Sequence, residues 1–128
     1  YAPDATDLVI FTYGNGVPMA LRAATGIEQQ LGWQVRVVDL RWLVPLNAAF
    51  IGAQAATAQR VLVLDEGRQS GGVGEGVITA LVEAGHGHLP VRRVCGADTY
   101  TPLAGAAMFG LPSDNAVIGA ALDLAQEP

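Results

Sequence analysis

The residues best placed to do chemistry lie in LDEGRQSGGVGEGVITALVEAG, positions 64–85. An apolar run ends in Asp65 and Glu66, a glycine-crowded loop follows, and an amphipathic segment begins at Val73. A strand, a tight turn and a helix N-terminus in that order can hold a phosphate through free N–H groups and the helix dipole. The spacing argues against that use. Counted from Gly72, the G-x-G-x-x-G pattern reads G-V-G-E-G-V and fails at its last position; counted from Gly71 or Gly74 it fails as well. A P-loop ends in Gly-Lys-Ser/Thr, and this chain contains no lysine. Glu75 falls in the first helical turn, where its carboxylate takes the favourable anionic place and would repel a phosphate. The glycines then point to a positive φ, or to a close approach by a polypeptide or a cofactor.

The other reactive side chains form no complete set. Asp65 and Glu66 are adjacent in a strand and project to opposite faces, so they cannot serve as a paired acid and base. A structural or interface role suits them better. His86 and His88 share a turn with neither thiol nor carboxylate nearby, too few ligands for a metal. Cys95 sits in an apolar strand without a sequence-local base and reads as a small core residue. RQSGG lacks the first glycine of a G-x-S-x-G elbow, which leaves nucleophilic hydrolysis unsupported. CGADTYTPL (95–103) leads into a long irregular segment in which Asp98 and Thr99 favour turns and Pro102 fixes the exit. With Tyr100 and Met108 close by, such a loop suits a contact surface.

Alternating strands and helices must position these residues. DLVIFTY (7–13) is a buried strand by its β-branched and aromatic content. A helix opens with Pro18 in its first turn, carries Ala20, Ala24, Ile27 and Leu31 on one face, and stops at Gly32. WQVRVVDL (33–40) is a second strand, and Asn47 caps the short helix that follows VPLN. RVLVLD (60–65) is a third strand, apolar enough to be covered on both faces. The next helix places Val73, Val77, Ile78, Leu81 and Val82 on one side and ends at Gly85. PVRRVCG (90–96) is a fourth strand, and a last helix is capped by Ser113 with Asp114 near its positive end. Short crossovers force parallel pairing, so the expected fold is a three-layer α/β/α sandwich with a mostly parallel sheet.

The chain has 128 residues, enough for one domain, 1–128, without a second lobe. It starts at YAPDATD without Met, and a fragment of a longer chain is expected. Apolar residues make up 51% and charged residues only 15%, a surface lean enough to suggest that part of it is covered, although the high Ala and Gly content also lowers charge. The net charge is −5 and all seven basic residues are Arg, unclustered, which argues against a nucleic-acid or anionic membrane partner. An acidic face could meet a basic protein, or serve solubility alone. One cysteine suits a reducing, cytoplasmic setting, and no apolar run is long enough to span a membrane.

Several segments, in order, resemble the C-terminal domain of the transketolase superfamily. DLVIFTYGNGVPMALRAA resembles its opening strand, turn and helix. VRVVDLRWLVPLN is similar to its D-L-R-x-L-x-P-L-D segment, with Asn47 where Asp is usual. RVLVLDEGRQSGGVGEGVITALVE resembles its strand, acidic pair and G-G-x-G turn, and PVRRVCGADTYTPLAGAAMFGLPS its R-V-x-G-x-D-T-x-x-P segment. The last points to the beta subunit of the decarboxylating component of 2-oxo acid dehydrogenase complexes. This chain departs from that group's G-G-[FV]-x-x-E pattern: Glu75 stands ahead of the position of the group's glutamate, which holds no carboxylate here.

The resemblance implies that thiamine diphosphate and Mg lie between other domains of the whole enzyme, none being bound by this one. It implies a domain for subunit assembly and for docking the basic region of a lipoyl acyltransferase, without catalytic residues. Glu66, Gly71, Gly72, Val73 and Gly74 are the expected interface residues, with Asp98, Thr99 and Pro102 as a second patch. The matching domain of a transketolase or deoxyxylulose phosphate synthase is an alternative, and an independent nucleotide-binding module is another.

Overall fold

The computed structural model describes residues 1–127. Four strands, β1 (Leu8–Thr12), β2 (Val35–Asp39), β3 (Val61–Arg68) and β4 (Val91–Gly96), alternate with helices α1 (Gly16–Leu31), α2 (Ala48–Ala55), α3 (Val73–Glu83) and α4 (Asp114–Ala125). All strand pairs are parallel, in the order β2-β1-β3-β4. The expected three-layer α/β/α sandwich is therefore what forms, with an entirely parallel sheet.

Period-two alternation along the central strands divides the core. Leu8 and Ile10 of β1, with Leu62 and Leu64 of β3, pack against Ala20, Ala24 and Ile27 of α1 and Val117 and Leu124 of α4. Val9, Phe11, Val61 and Val63 face the opposite way, onto Ile51 and Ala55 of α2 and Val77 and Leu81 of α3. All five β1 residues are buried, as a strand sealed between two neighbours and two helix layers must be.

Helix ends follow the local signals. Gly32 closes α1 in the left-handed conformation, φ 69°, with its N–H bonded to the Glu28 carbonyl. The Asn47 side chain accepts from the Phe50 N–H and the Ser113 hydroxyl from the Ala116 N–H, each a side-chain cap of an N-terminal donor. Helix α1 begins two residues before Pro18, because Gly16 and Val17 already turn back onto the carbonyls of Tyr13 and Gly14.

Three details depart from the sequence expectation. Val82 does not share the buried stripe of Val77 and Leu81; it is exposed, because α2 and the sheet cover a narrower arc of α3 than the run of apolar residues suggests. The segment after β4 contains a 3₁₀ helix, Ala104–Phe109, none of whose residues is buried. Strand β3 does not stop at Asp65 but runs on to Arg68, with an irregularity in the β3–β4 register between Asp65, opposite Cys95, and Arg68, opposite Gly96.

Candidate functional site

The irregularity at the end of β3 builds the site. Asp65 is 1% exposed, and its carboxylate accepts three hydrogen bonds. Tyr13 Oη donates to Oδ1 at 2.5 Å, the Gly67 N–H donates to the same oxygen at 2.7 Å, and the Gly74 N–H donates to Oδ2 at 2.7 Å. Gly74 is the second residue of α3, and the residue at the N-cap, Gly72, has no side chain with which to cap it. Asp65 thus supplies the missing cap from the neighbouring strand.

The glycines have a steric reason. A Cβ at Gly67 would lie 2.8 Å from Asp65 Oδ1; one at Gly72 would lie 2.5 Å from the Arg68 carbonyl oxygen and 2.8 Å from Asp65 Oδ2. At Gly74 a Cβ would stand 3.2 Å from Oδ2. Gly71 has open space around it but a φ of +70°, which the turn requires. At Gly67 and Gly74 the group nearest the backbone is the chain's own buried carboxylate, and at Gly72 that carboxylate stands second to the Arg68 carbonyl.

Two more carboxylates grip the same loop. Glu75 Oε2 accepts from the Gly71 N–H at 3.1 Å, and Asp98 accepts from the Ser70 N–H at 2.8 Å and the Ser70 hydroxyl at 2.5 Å. Four loop N–H groups are therefore spent on the protein's own anions. These donors and the helix dipole are what a bound phosphate would need, and three negative charges already surround them. A diphosphate does not fit this donor set, and no group of three or more metal-ligating side chains occurs among the described residues.

The Ser70–Asp98 contact also joins the two expected patches. It ties the loop after β3 to the segment after β4, and Arg68, Ser70, Asp98, Thr99 and Tyr100 line an open cavity of about 460 Å³ between them. Glu66 and Val73 are half-buried, while Gly71, Asp98, Thr99 and Pro102 are exposed. Tyr100 at the cavity and Leu103 and Phe109 after it in sequence are 97%, 91% and 93% exposed, with Met108 beside Phe109. Trp42 and Val44, after β2, the opposite edge strand, are exposed as well. Tyr100 and Met108, expected from the sequence at a contact surface, are both exposed; Leu103, Phe109, Trp42 and Val44 were not expected there, although large apolar side chains in a Gly/Pro-rich stretch without strand or helix period are the available signal.

The titratable groups lie far from a nucleophile's requirements. Burial, then the Asp65 hydrogen bond and charge, hold the Tyr13 phenol well above its ordinary range. Burial pushes the half-buried Cys95 thiol up, against the opposing pull of Arg93, away from thiolate character. The Ser70 hydroxyl and N–H hold the exposed Asp98 carboxyl below its usual value. His88 Nδ1 lies 3.2 Å from the Gly85 carbonyl oxygen, a turn contact rather than a ligand geometry.

Comparison with known proteins agrees with this architecture. The profile described as "Transketolase, C-terminal domain" matches residues 2–115. The chain belongs to the transketolase C-terminal domain family. Among curated members it is 36% identical over 125 residues, 96% of its length, to the 3-methyl-2-oxobutanoate dehydrogenase subunit beta of Mycobacterium tuberculosis. It is 34% identical over 117 residues, 90% of its length, to the pyruvate dehydrogenase E1 component subunit beta of Staphylococcus aureus. The domain spans 36% of the length of each of these relatives. A solved structure described as a split-gene transketolase, an inactive beta4 tetramer, superposes with a TM-score of 0.79 at 28% identity, covering 94% of this chain and 38% of that one. No helix among the described residues is long and apolar enough to cross a membrane.

Proposed function

We propose that this chain is the C-terminal domain of a thiamine diphosphate-dependent 2-oxo acid dehydrogenase component, and that it serves subunit assembly and docking rather than chemistry. The observation that carries the enzyme class is the 36% identity to a dehydrogenase beta subunit over 96% of the chain. In this reading the whole enzyme decarboxylates a 2-oxo acid and passes the acyl group to a lipoyl arm, in the cytoplasm. Thiamine diphosphate and Mg are held by parts of the enzyme outside residues 1–128.

The assembly role draws on the surface. Tyr100, Leu103, Met108 and Phe109 are exposed within ten residues. Soluble monomers rarely leave contiguous apolar patches beyond a few hundred Å² uncovered. The two loops that Ser70 and Asp98 join present Glu66, Gly71, Gly72 and Val73 together with Asp98, Thr99 and Pro102, and these, with Gly74 buried beneath them, form the proposed contact surface with partner subunits. The net charge of −5 suits a basic docking region of a lipoyl acyltransferase.

The test is the intact enzyme. Purified protein should oxidatively decarboxylate a branched-chain 2-oxo acid or pyruvate when supplied with a lipoyl acceptor, and Leu103→Asp with Phe109→Asp should reduce its oligomer by light scattering. Ketol transfer between sugar phosphates without 2-oxo acid turnover would instead establish the transketolase reading, which the structural likeness to the split-gene transketolase favours. An unchanged oligomer in the double variant would remove the assembly role from this segment.

A further inference from the structure

We infer that Asp65 is the positioning residue of the 67–75 loop, holding it in the one shape in which it can meet a partner subunit. This rests on the loop being a contact surface, as proposed above, and adds the group that shapes it. The loop has little packing to define its path. Arg68, Gln69, Ser70 and Gly71 are exposed, and glycine occupies four of the nine positions, so intrinsic backbone stiffness is low. What remains to order it is hydrogen bonding, and Asp65 supplies the buried part. Its Oδ1 holds the entry at Gly67 and its Oδ2 holds the exit at Gly74, so one rigid carboxylate sets the span between the two ends. Tyr13, the residue after β1, fixes that carboxylate from beside the strand that neighbours β3. The outer contacts, Ser70 to Asp98 and Gly71 to Glu75, are exposed and subject to competition by water.

Neither conservative replacement can substitute. Glutamate adds a methylene against Gly67 and Gly72, which already lie against the carboxylate with no room for a Cβ of their own, and against Gly74, where a Cβ would be tight. Asparagine keeps the shape but turns one of the two acceptor oxygens into an NH₂ donor facing an N–H or O–H donor. Asp65→Asn therefore frees one end of the loop while leaving the apolar core intact.

The experiment compares Asp65→Asn, Tyr13→Phe and a core control, Ile27→Val on the opposite sheet face, in the intact protein, by backbone amide exchange and by subunit affinity. In Asp65→Asn, exchange at Gly67 or Gly74 should accelerate about tenfold or more, the loss of a charge-assisted hydrogen bond, while Val9 and Phe11 amides keep their protection. Subunit association should weaken in the same variant. Tyr13→Phe leaves both backbone bonds in place and should change loop exchange by no more than about threefold. The Ile27→Val control should leave loop exchange and association unchanged. Unaltered exchange at both glycines in Asp65→Asn would overturn the inference, as would a uniform acceleration that includes Val9 and Phe11. Accelerated loop exchange with unaltered association would keep Asp65 as the positioning residue and overturn the contact role of the loop.

Discussion

Replacing Gly72 by alanine puts a methyl group where the loop has no room for one. The new Cβ would lie 2.5 Å from the Arg68 carbonyl oxygen and 2.8 Å from Asp65 Oδ2. The first neighbour is backbone at the point where β3 rejoins β4, opposite Gly96, and the second is a carboxylate held by three hydrogen bonds. Gly72 has φ −82°, which alanine adopts freely, so the cost is steric and not conformational. If the carboxylate swings aside, the Gly74 N–H loses a charge-assisted partner at about 1.5–3 kcal/mol; if the Arg68 carbonyl moves, overpacking of this kind costs about 1–3 kcal/mol. Either route gives about 2 kcal/mol. Gly71→Ala meets open space but must hold φ +70°, a cost of about 1 kcal/mol. Gly105→Ala meets neither obstacle and should be neutral or stabilising by a few tenths, about 0.4 kcal/mol, through the unfolded chain. Urea unfolding followed by circular dichroism, compared at constant m, should rank the three midpoints in that order. A Gly72→Ala midpoint equal to that of Gly105→Ala would refute the clamp.

Arg36 donates from one guanidinium nitrogen to the Gln54 carbonyl and side-chain oxygens and the Thr57 hydroxyl, and from the other to the Ala5 carbonyl, so Arg36→Met should cost about 2–4 kcal/mol in thermal or chemical unfolding. Asn47→Ala and Ser113→Ala each remove a helix cap and should each cost about 1 kcal/mol by the same measurement, additively, since α2 and α4 lie on opposite sheet faces. The Asp98 carboxyl is held below its unfolded value, so its clasp on Ser70 is complete above the ordinary carboxylate pKa of about 3.9 and is lost as pH falls through the lower folded value. The Ser70 amide resonance should therefore stay constant from neutral pH to about 5 and shift only in stronger acid, and Asp98→Asn should show the released position throughout.

Much of the scaffold was legible in local patterns. The apolar runs of β1 and β3, the Gly32 stop and the caps at Asn47 and Ser113 are written within a few residues of where they act, because a helix end is satisfied by a side chain three residues away and a buried strand announces itself by continuous apolar content. The family was legible in a different way, through the resemblance of several ordered motifs to a known one.

The site was legible only in part. The sequence excluded a dinucleotide or P-loop fingerprint through spacing and the absence of lysine, and it marked Glu66, Gly71, Gly72, Val73 and Gly74, with Asp98, Thr99 and Pro102, as candidate interface residues. It could not show that Asp65 reaches across nine residues to cap α3, nor that Ser70 meets Asp98 across twenty-eight. It also placed Val82 in the core, because apolar content counts side chains and not the arc of helix that neighbours cover. By itself the sequence determined the alternation of elements and the helix ends, which rest on contacts within about one helical turn, and its ordered motifs carried the resemblance to the family. Which groups the glycines leave room for was decided only when the β3–β4 irregularity carried Asp65 beneath the loop, since a hydrogen bond depends on where two atoms stand in space and not on how far apart they are along the chain.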